Sequence, residues 1–210
     1  MENVWSASRL LDAIRALLAA HVADPVADLS GRVPSAVCLP LVERGDALET
    51  WIIQRPSTMR DHSGEWGFPG GKPEPADRDL AATAVRETGE ELGVAAASIR
   101  ILGALAPIPI ATSRFALHPF VGELAPGTEP EPNAEVAEVL RAPVAAFFDG
   151  TFGIQTVDTG SYRMPMFHLP GGRLYGASAW ALNELLELVG RAAGVALPEP
   201  TVTTEIPWRK

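Results

Sequence analysis

The sequence has a single cysteine, Cys38, so no disulfide bond can form within the chain. Cys38 lies between Val37 and Leu39 in an apolar run, where a free thiol usually behaves as a small buried side chain. A reactive thiol needs an accessible, electropositive setting, and this run does not provide one. We therefore favour a core residue at Cys38 over a nucleophile.

Basic residues are also scarce, with 17 lysines and arginines against 26 aspartates and glutamates and a formal net charge of −9. A protein that binds nucleic acid needs clustered lysine and arginine to neutralise the phosphates. We therefore expect no nucleic-acid partner. A free nucleotide is still compatible with an acidic protein, if a metal ion and local arginines reverse the field around it.

Long apolar runs are missing as well, since no segment approaches the ~20 consecutive apolar residues of a membrane span. The N-terminus carries Glu2 and lacks the basic region and uninterrupted apolar core of a secretory signal. Hydrophobic residues make up 47% of the 210 residues, which excludes global disorder and allows one domain with a large core. We expect a cytoplasmic protein with no membrane partner.

The sequence pattern divides the chain into three parts. Residues 1–30 carry an amphipathic helix over residues 6–22 and then a linker, because apolar residues recur there at helical spacing. We expect this helix to pack on the main body, with an interfacial membrane helix as the alternative. Residues 31–195 form the main domain, and the proline-bearing residues 196–210 form a loosely held tail.

Hydrophobic periodicity predicts an alternation of strands and helices in the main domain. Strands are predicted at residues 35–42, 48–54, 99–106, 114–124, 139–144, 152–157 and 162–169. Helices are predicted at residues 80–93 and 177–189.

The chain is organised around residues 64–94, a glycine-rich loop followed by a helix. The paired glycines Gly70 and Gly71 admit backbone conformations that other residues avoid, so this loop is predicted to be irregular. Asp77 is the predicted N-cap of the helix, and Gly93 stands where a left-handed C-cap belongs. A loop followed directly by a capped helix is therefore the expected functional unit.

The helix carries three closely spaced glutamates. At ~100° per residue, Glu87, Glu90 and Glu91 fall on one face, where like charges cost an isolated helix roughly 0.2–0.5 kcal/mol per pair. A solvated acidic face is one interpretation. Hard divalent cations would remove the repulsion, so we predict a Mg²⁺ or Mn²⁺ site with Glu87 and Glu91 as main ligands and Glu90 as the third. A carbonyl of Gly70 or Gly71 would complete it.

This stretch resembles the Nudix box, the signature of hydrolases that cleave a nucleoside diphosphate linked to another group. The matching positions are Gly71, Arg86, Glu87, Glu90, Glu91 and Gly93. The resemblance implies an α/β/α sandwich with a mixed β-sheet, to which the N-terminal helix is added. It also implies catalytic roles for the three glutamates and an orienting ion pair from Arg86.

Two positions depart from the family pattern. Arg78 stands where the family usually has a glutamate eight residues before the arginine, so only Asp77 or Asp79 beside it can substitute. Thr88 stands where a larger aliphatic residue is usual. Both departures concern the anchoring of the loop and the packing of the helix.

The residues upstream of the box, Ile52 to Pro56, Arg60 and Gly64 to Gly71, are similar to a second motif of the coenzyme A pyrophosphatase branch of this family. The resemblance implies that coenzyme A or an acyl derivative is cut to 4′-phosphopantetheine and adenosine 3′,5′-bisphosphate. ADP-ribose, a dinucleoside polyphosphate or another nucleoside diphosphate derivative is the alternative substrate.

Arginines near the loop are candidates for binding phosphate, because a guanidinium group pairs bidentately with phosphate oxygens. The predicted substrate-binding residues are Arg55, Arg60, Lys72 and Gly70. The resemblance further implies that Glu135, in competition with Glu138, supplies another metal ligand or the general base, with Glu90 as the other candidate base. A homodimer is expected only by analogy with relatives.

Two hypotheses of a different class stay open. The chain could be a non-catalytic Nudix-type module that senses a nucleotide, although its intact glutamates argue against this. It could also be an interaction protein that binds a partner through the N-terminal helix.

Overall fold

The computed structural model describes residues 4–24, 27–58, 64–111 and 113–207. Arg60, a predicted substrate-binding residue, lies outside these ranges, so its role stays a prediction. The described residues form three α-helices, which are α1 (Ala7–Ala19), α2 (Leu80–Leu92) and α3 (Gly176–Ala193).

The larger sheet is mixed, as predicted, because its central strands β1 and β7 run parallel while the other pairs run antiparallel. Its strands are β1 (Val33–Arg44), β2 (Ala47–Gln54), β3 (Trp66–Gly67), β4 (Gly70–Gly71), β5 (Ile99–Ala104), β6 (Ile108–Pro109), β7 (Phe115–Leu124) and β8 (Glu138–Pro143). The main order is β3-β2-β1-β7-β5, with β4 paired to β1, β6 to β7 and β8 to β2.

A second sheet has the order β11-β10-β9-β12. Its strands are β9 (Gly153–Asp158), β10 (Arg163–Leu169), β11 (Gly172–Leu174) and β12 (Thr201–Thr203). The strands β9 and β10 are the predicted hairpin. The expectation of a loosely held tail is wrong for Thr201–Thr203, because these residues pair in parallel with Gln155, Thr156 and Val157 of β9.

Alternate residues of β1 face two different helical layers. Leu39 and Leu41 pack in the cluster that also contains the buried residues of α1 and α3. Ala36 and Cys38 instead pack with Ala84 of α2. Because successive side chains of a strand point to opposite faces, α2 covers one face of the sheet while α1 and α3 cover the other. The predicted α/β/α sandwich is confirmed.

Cys38 is fully buried, which confirms the prediction of a core thiol. Burial raises the pKa of this thiol to about 12, because a thiolate would lose its hydration at this position. A methyl group at Gly122 would lie 2.5 Å from the Cys38 sulfur, so the absence of a side chain at Gly122 leaves room for the thiol.

The N-terminal helix packs on the main body, as predicted. Its buried residues are Ala7, Leu10, Leu11, Ile14 and Leu18. They join the same cluster as α3 and the larger sheet, so these side chains are unavailable to a lipid surface or a partner protein. No helix within the described ranges combines the length and the apolar character that crossing a bilayer requires.

Candidate metal and nucleotide site

The helix α2 begins and ends through two defined caps. Its N-cap is Asp79, whose side chain accepts a hydrogen bond of 2.7 Å from the backbone N–H of Ala82, so the prediction of Asp77 as the N-cap is wrong. The C-cap is Gly93 with a φ of 66°, which confirms the predicted left-handed cap. These caps set the two ends of α2, the helix that carries Glu87, Glu90 and Glu91.

Asp77 instead anchors the loop that precedes α2. Its carboxylate accepts hydrogen bonds from Arg86 Nε and Nη2, each at 3.1 Å, and from Thr83 Oγ1 at 2.9 Å. It also accepts one from the backbone N–H of Glu74 at 2.9 Å. The Arg86 guanidinium lowers the pKa of Asp77 to about 2. Asp77 thus occupies the anchoring place that the missing family glutamate leaves open.

Arg86 connects the loop to the glutamates of α2. Its Nη2 donates to the carbonyl of Lys72 at 3.0 Å, and its Nη1 lies 3.0 Å from carboxylate oxygens of both Glu87 and Glu90. The hydrogen bonds to Asp77, and then the nearby Glu87 carboxylate, raise the pKa of the guanidinium further above its usual value. The ion pairs that the family resemblance implies for Arg86 are therefore present.

Glu91 is buried, with only 2% of its side chain exposed. It accepts a hydrogen bond of 3.0 Å from the backbone N–H of Gly70, and Arg55 Nη2 lies 3.6 Å from its other oxygen. Burial raises the pKa of Glu91 to about 7. The prediction that all three glutamates share one open face is wrong for Glu91, because the buried arc of α2 also includes its neighbours Thr88 and Leu92.

Glu87 lies directly against the glycine-rich loop. A methyl group at Gly71 would overlap the Glu87 carboxylate, with the carboxyl carbon only 2.5 Å away. Partial burial raises the pKa of Glu87, since a charged carboxylate is less well hydrated there. Gly71 therefore gives Glu87 room to lie beside the loop backbone.

The loop before β8, which carries Glu135, lies against the last turn of α2. The charge of Glu135 contributes to the raised pKa of both Glu87 and Glu91. Asn133 holds this loop, since its side-chain N–H donates to the Glu90 carbonyl at 2.8 Å and its oxygen accepts from the Glu135 N–H at 2.7 Å.

Sequence reasoning missed Asn133. An asparagine two residues before Glu135 in a proline-bearing loop is a typical signal for a turn closed by a side chain, and it could have indicated this residue.

Glu90 and Lys72 lie at the edge of this arrangement. The Glu90 side chain is 56% exposed and points to Arg86 rather than to the buried carboxylates. Lys72 is exposed, and its ammonium nitrogen lies 4.9 Å from the centroid of the Phe115 ring. The structure therefore brings together Glu87, Glu91, Gly70, Gly71 and Arg55, and it holds the loop that carries Glu135 against α2.

The chemistry of these side chains suits a hard divalent cation, because carboxylate and backbone oxygens are the ligands that Mg²⁺ and Mn²⁺ prefer. Within residues 4–24, 27–58, 64–111 and 113–207, however, no three aspartate, glutamate, histidine or cysteine side chains are already gathered around one point. Glu87 is turned to Arg86, and Glu91 to Gly70 and Arg55. Joint coordination of an ion therefore requires these carboxylates to turn from their present partners.

Thr88 fills its position without a larger aliphatic side chain. It is fully buried, and its hydroxyl donates to the Ala84 carbonyl at 2.7 Å. Its hydroxyl also interacts with Cys38 of β1. The second family departure is therefore accommodated by close packing of α2 on the sheet.

Residues in and directly after β11 contact the loop. The Tyr175 hydroxyl donates to the Glu65 carboxylate at 3.1 Å. A methyl group at Gly172 would lie 2.5 Å from Trp66 Nε1, so Trp66 packs directly on the start of β11. Sequence reasoning missed both contacts, because the residues of each pair lie more than 100 positions apart in the chain.

The sequence resembles known proteins over more than half of its length. A family model described as NUDIX domain matches residues 31–153. An uncharacterized Nudix hydrolase, NudL from Photorhabdus laumondii, is 35% identical over 112 residues, which are 53% of this chain and 59% of that protein. NudL from Yersinia enterocolitica is 39% identical over 88 residues, which are 42% of this chain and 44% of that protein. The chain thus matches about half the length of these relatives.

A solved structure supports the same fold. The crystal structure of a NUDIX hydrolase from Nitrosomonas europaea superposes with a TM-score of 0.54 at 16% identity, over 83% of this chain and 80% of that one. At this identity the likeness concerns the fold alone. The family model, in contrast, matches the stretch that contains the glycine-rich loop, the helix α2 and Glu135. The chain therefore belongs to the NUDIX domain family.

Proposed function

We propose that this chain hydrolyses the diphosphate bridge of a nucleoside diphosphate-linked substrate, with Mg²⁺ or Mn²⁺ as cofactor. One observation carries the proposal, namely that Glu91 is buried against the Gly70 N–H and that the Glu87 carboxylate lies directly against Gly71, so two acidic side chains border the glycine-rich loop. A buried carboxylate beside a second one is unfavourable unless a cation or protons compensate the charge. Membership of the NUDIX domain family supports the same reaction class.

Glu87 and Glu91 would hold the ion, with Glu90 or Glu135 and a carbonyl of Gly70 or Gly71 as further oxygen ligands. Bound divalent ions neutralise the diphosphate, acidify the attacking water and stabilise the leaving phosphate. The chain itself positions these oxygens, since Arg86 holds Glu87 and Glu90 through ion pairs.

Arg55 is the proposed contact for the substrate phosphates. Its guanidinium lies 3.6 Å from Glu91 and 3.5 Å from the Gly70 carbonyl, at the boundary between the carboxylates and the loop. Arg60, Lys72 and Gly70 stay the other proposed substrate-binding residues. Glu90 and Glu135 are the two candidates for the general base, because the reaction needs a group that takes a proton from water.

Coenzyme A is the narrower candidate for the substrate. The support is the motif before the box, in which Arg55 and Gly70 both contact Glu91. Hydrolysis would yield 4′-phosphopantetheine and adenosine 3′,5′-bisphosphate. ADP-ribose and dinucleoside polyphosphates are the competing substrates.

A substrate panel tests the two levels of this proposal separately. Purified chain is incubated with coenzyme A, ADP-ribose or a dinucleoside polyphosphate, each with Mg²⁺, with Mn²⁺ or with a chelator. We expect metal-dependent cleavage, fastest for coenzyme A. Rapid cleavage of ADP-ribose beside intact coenzyme A would contradict the narrower proposal alone, whereas nucleotide binding without any cleavage would favour the non-catalytic module.

Variants of the glutamates test the assignment of the ligands. We expect Glu87→Gln and Glu91→Gln to fold and to lose turnover by about 100-fold or more, because each loses a charged ligand of the ion. Glu135→Gln is expected to be impaired as well. Glu187→Gln is the matched control, since Glu187 is exposed on α3 and contacts only the nearby Asn183 among the hydrogen bonds described. Unchanged turnover in both Glu87→Gln and Glu91→Gln would refute the metal assignment.

A further inference from the structure

Two cations near the proposed site have no carboxylate partner within the described ranges. Most arginines that the structure describes are ion-paired, namely Arg15, Arg44, Arg55, Arg78, Arg86, Arg100, Arg141, Arg163 and Arg173. In contrast, Lys72 and Arg114 are exposed, and each contacts an aromatic ring instead of an acid. In a chain with a formal charge of −9, two adjacent uncompensated cations are unexpected.

Both cations lie against the same ring. Lys72 Nζ is 4.9 Å from the centroid of the Phe115 ring, and Arg114 Cζ is 5.9 Å from it. A cation over an aromatic ring is held by about 0.5–1 kcal/mol at an exposed position, and it keeps its full charge. Phe115 therefore gathers two positive charges that are still available to an anion.

The backbone holds this cluster in a defined place. Arg32 Nη1 donates to the carbonyls of Ile110, Ser113 and Phe115 at 3.1, 3.0 and 3.2 Å, which ties the turn before β7 to the start of β1. The Lys72 carbonyl is itself fixed by Arg86 at 3.0 Å. The two cations are therefore carried by backbone segments that other side chains hold.

The cluster is next to the proposed diphosphate site. Lys72 directly follows Gly71, which packs against Glu87. Along β1, Ala36 pairs with Gly71, and Val33, three residues earlier, pairs with Phe115. The first part of β1 thus brings Lys72 and Arg114 together beside the loop that contacts Glu87.

We propose that Lys72 and Arg114 form a second anion subsite, which binds a phosphomonoester on the ribose of the substrate, outside the diphosphate bridge. A phosphomonoester carries a charge of about −1.5 to −2 near neutral pH, which two cations match. The guanidinium of Arg114 offers paired donors to two phosphate oxygens, and Lys72 adds a point charge. This subsite rests on the proposed function in taking a nucleotide as its ligand, and it would select nucleotides with an additional phosphate.

Calorimetry with two matched ligands tests the subsite. Adenosine 3′,5′-bisphosphate and adenosine 5′-monophosphate differ only in the 3′-phosphate, and each is titrated into the full chain in the presence of a chelator. We expect the wild type to bind the bisphosphate more tightly. Arg114→Gln should weaken bisphosphate binding by roughly 10- to 100-fold, the range for a charge-assisted hydrogen bond, and should thereby abolish the preference. Arg114→Lys, which keeps the charge but not the paired donors, should retain part of it.

Arg191→Gln is the matched control. Arg191 is exposed in the last turn of α3, so this variant loses the same charge at another place. It should keep the wild-type preference for the bisphosphate. Equal binding of the two ligands by the wild type, an unchanged preference in Arg114→Gln or an equal loss in Arg191→Gln would each overturn the subsite.

The binding test of the subsite and the cleavage test of the proposed function can fail separately. A chain that prefers the bisphosphate through Arg114 but cleaves no diphosphate would refute the proposed function and leave the subsite standing. A chain that cleaves diphosphates but shows no preference dependent on Arg114 would refute the subsite and leave the proposed function standing.

Discussion

Asp77 and Arg86 form a two-point contact, in which Nε and Nη2 of the guanidinium each lie 3.1 Å from a different carboxylate oxygen. Two parallel hydrogen bonds of this kind fix the relative orientation of the two side chains and also strengthen the ion pair. The contact joins the loop after Gly71 to the helix that carries the glutamates. The position of the loop over the site therefore depends on an aspartate that stands next to the position at which the family usually has a glutamate.

Replacement of Asp77 by asparagine should loosen this loop. We expect Asp77→Asn to fold with a lower melting temperature and to lose turnover by about 10- to 100-fold, because small misplacements of catalytic groups are costly. Asp158→Asn is the control, since Asp158 also pairs with an arginine, Arg163, at 3.0 Å but lies in the second sheet. Equal losses of turnover in the two variants would argue against a specific role for Asp77.

A side chain at Gly71 should impair activity more than folding. The added methyl group of Gly71→Ala would overlap the Glu87 carboxylate, and the free end of that side chain can move aside. We expect a folded protein with turnover reduced by roughly 100-fold, as a displacement of about 1 Å produces. Gly153→Ala is the matched control, because its nearest neighbour would be 3.6 Å away. Wild-type turnover in Gly71→Ala would contradict the placement of Glu87.

A side chain at Gly70 should instead impair folding. The methyl group of Gly70→Ala would lie 2.6 Å from Val37 Cγ1 and 2.7 Å from Val37 Cα, and it would also collide with the Ala36 carbonyl. Backbone atoms of a central strand cannot move aside easily, so we expect a loss of ~1–3 kcal/mol in the free energy of unfolding. Urea denaturation measures this loss. A free energy equal to that of the wild type would show that β4 is not held against β1 in this way.

The buried Glu91 should make stability depend on pH. Burial raises its pKa from an ordinary value of 4.5 to about 7, so the folded chain keeps a proton that the unfolded chain releases. In a chelator, the free energy of unfolding should therefore fall as pH rises from about 4.5 to about 7, and it should stay lower above that range. Glu91→Gln is neutral throughout and can still accept from the Gly70 N–H.

We therefore expect Glu91→Gln to match the wild type near pH 4.5 and to exceed its stability by ~1–3 kcal/mol above pH 7. Urea denaturation at a series of pH values measures the difference. Excess Mg²⁺ should reduce the advantage of Glu91→Gln, because the ion stabilises the charged carboxylate. A difference that does not vary with pH would contradict the buried, destabilised charge.

Local patterns predicted the elements that carry the site. The helix predicted at residues 80–93 is observed as Leu80–Leu92, and Gly93 caps it with a positive φ. The strands predicted at residues 35–42 and 48–54 are observed as Val33–Arg44 and Ala47–Gln54. Periodicity and capping are properties of neighbouring residues, so one sequence is enough to recognise them.

The same reasoning failed where two choices were locally equivalent. Asp77 and Asp79 are both suitable N-caps by composition, and only the contact with Arg86 takes Asp77 away from that role. A helical wheel likewise places Glu91 beside Glu87, but it does not show where the sheet covers the helix. The distinction between buried and open carboxylates depends on how α2 docks.

The sequence alone determined the kind of chemistry that we propose, metal-dependent hydrolysis. The reason is that the glycine-rich loop, Arg86 and the glutamates all lie in one continuous stretch, where their residue types and spacings can be recognised. The tertiary structure decided which of these groups meet. Asn133 reaches the Glu90 carbonyl, Tyr175 reaches Glu65, and Lys72 shares the Phe115 ring with Arg114. These contacts join segments separated by roughly 40 to 110 residues, and they exist only once the strands have paired and the helices have packed on the sheet.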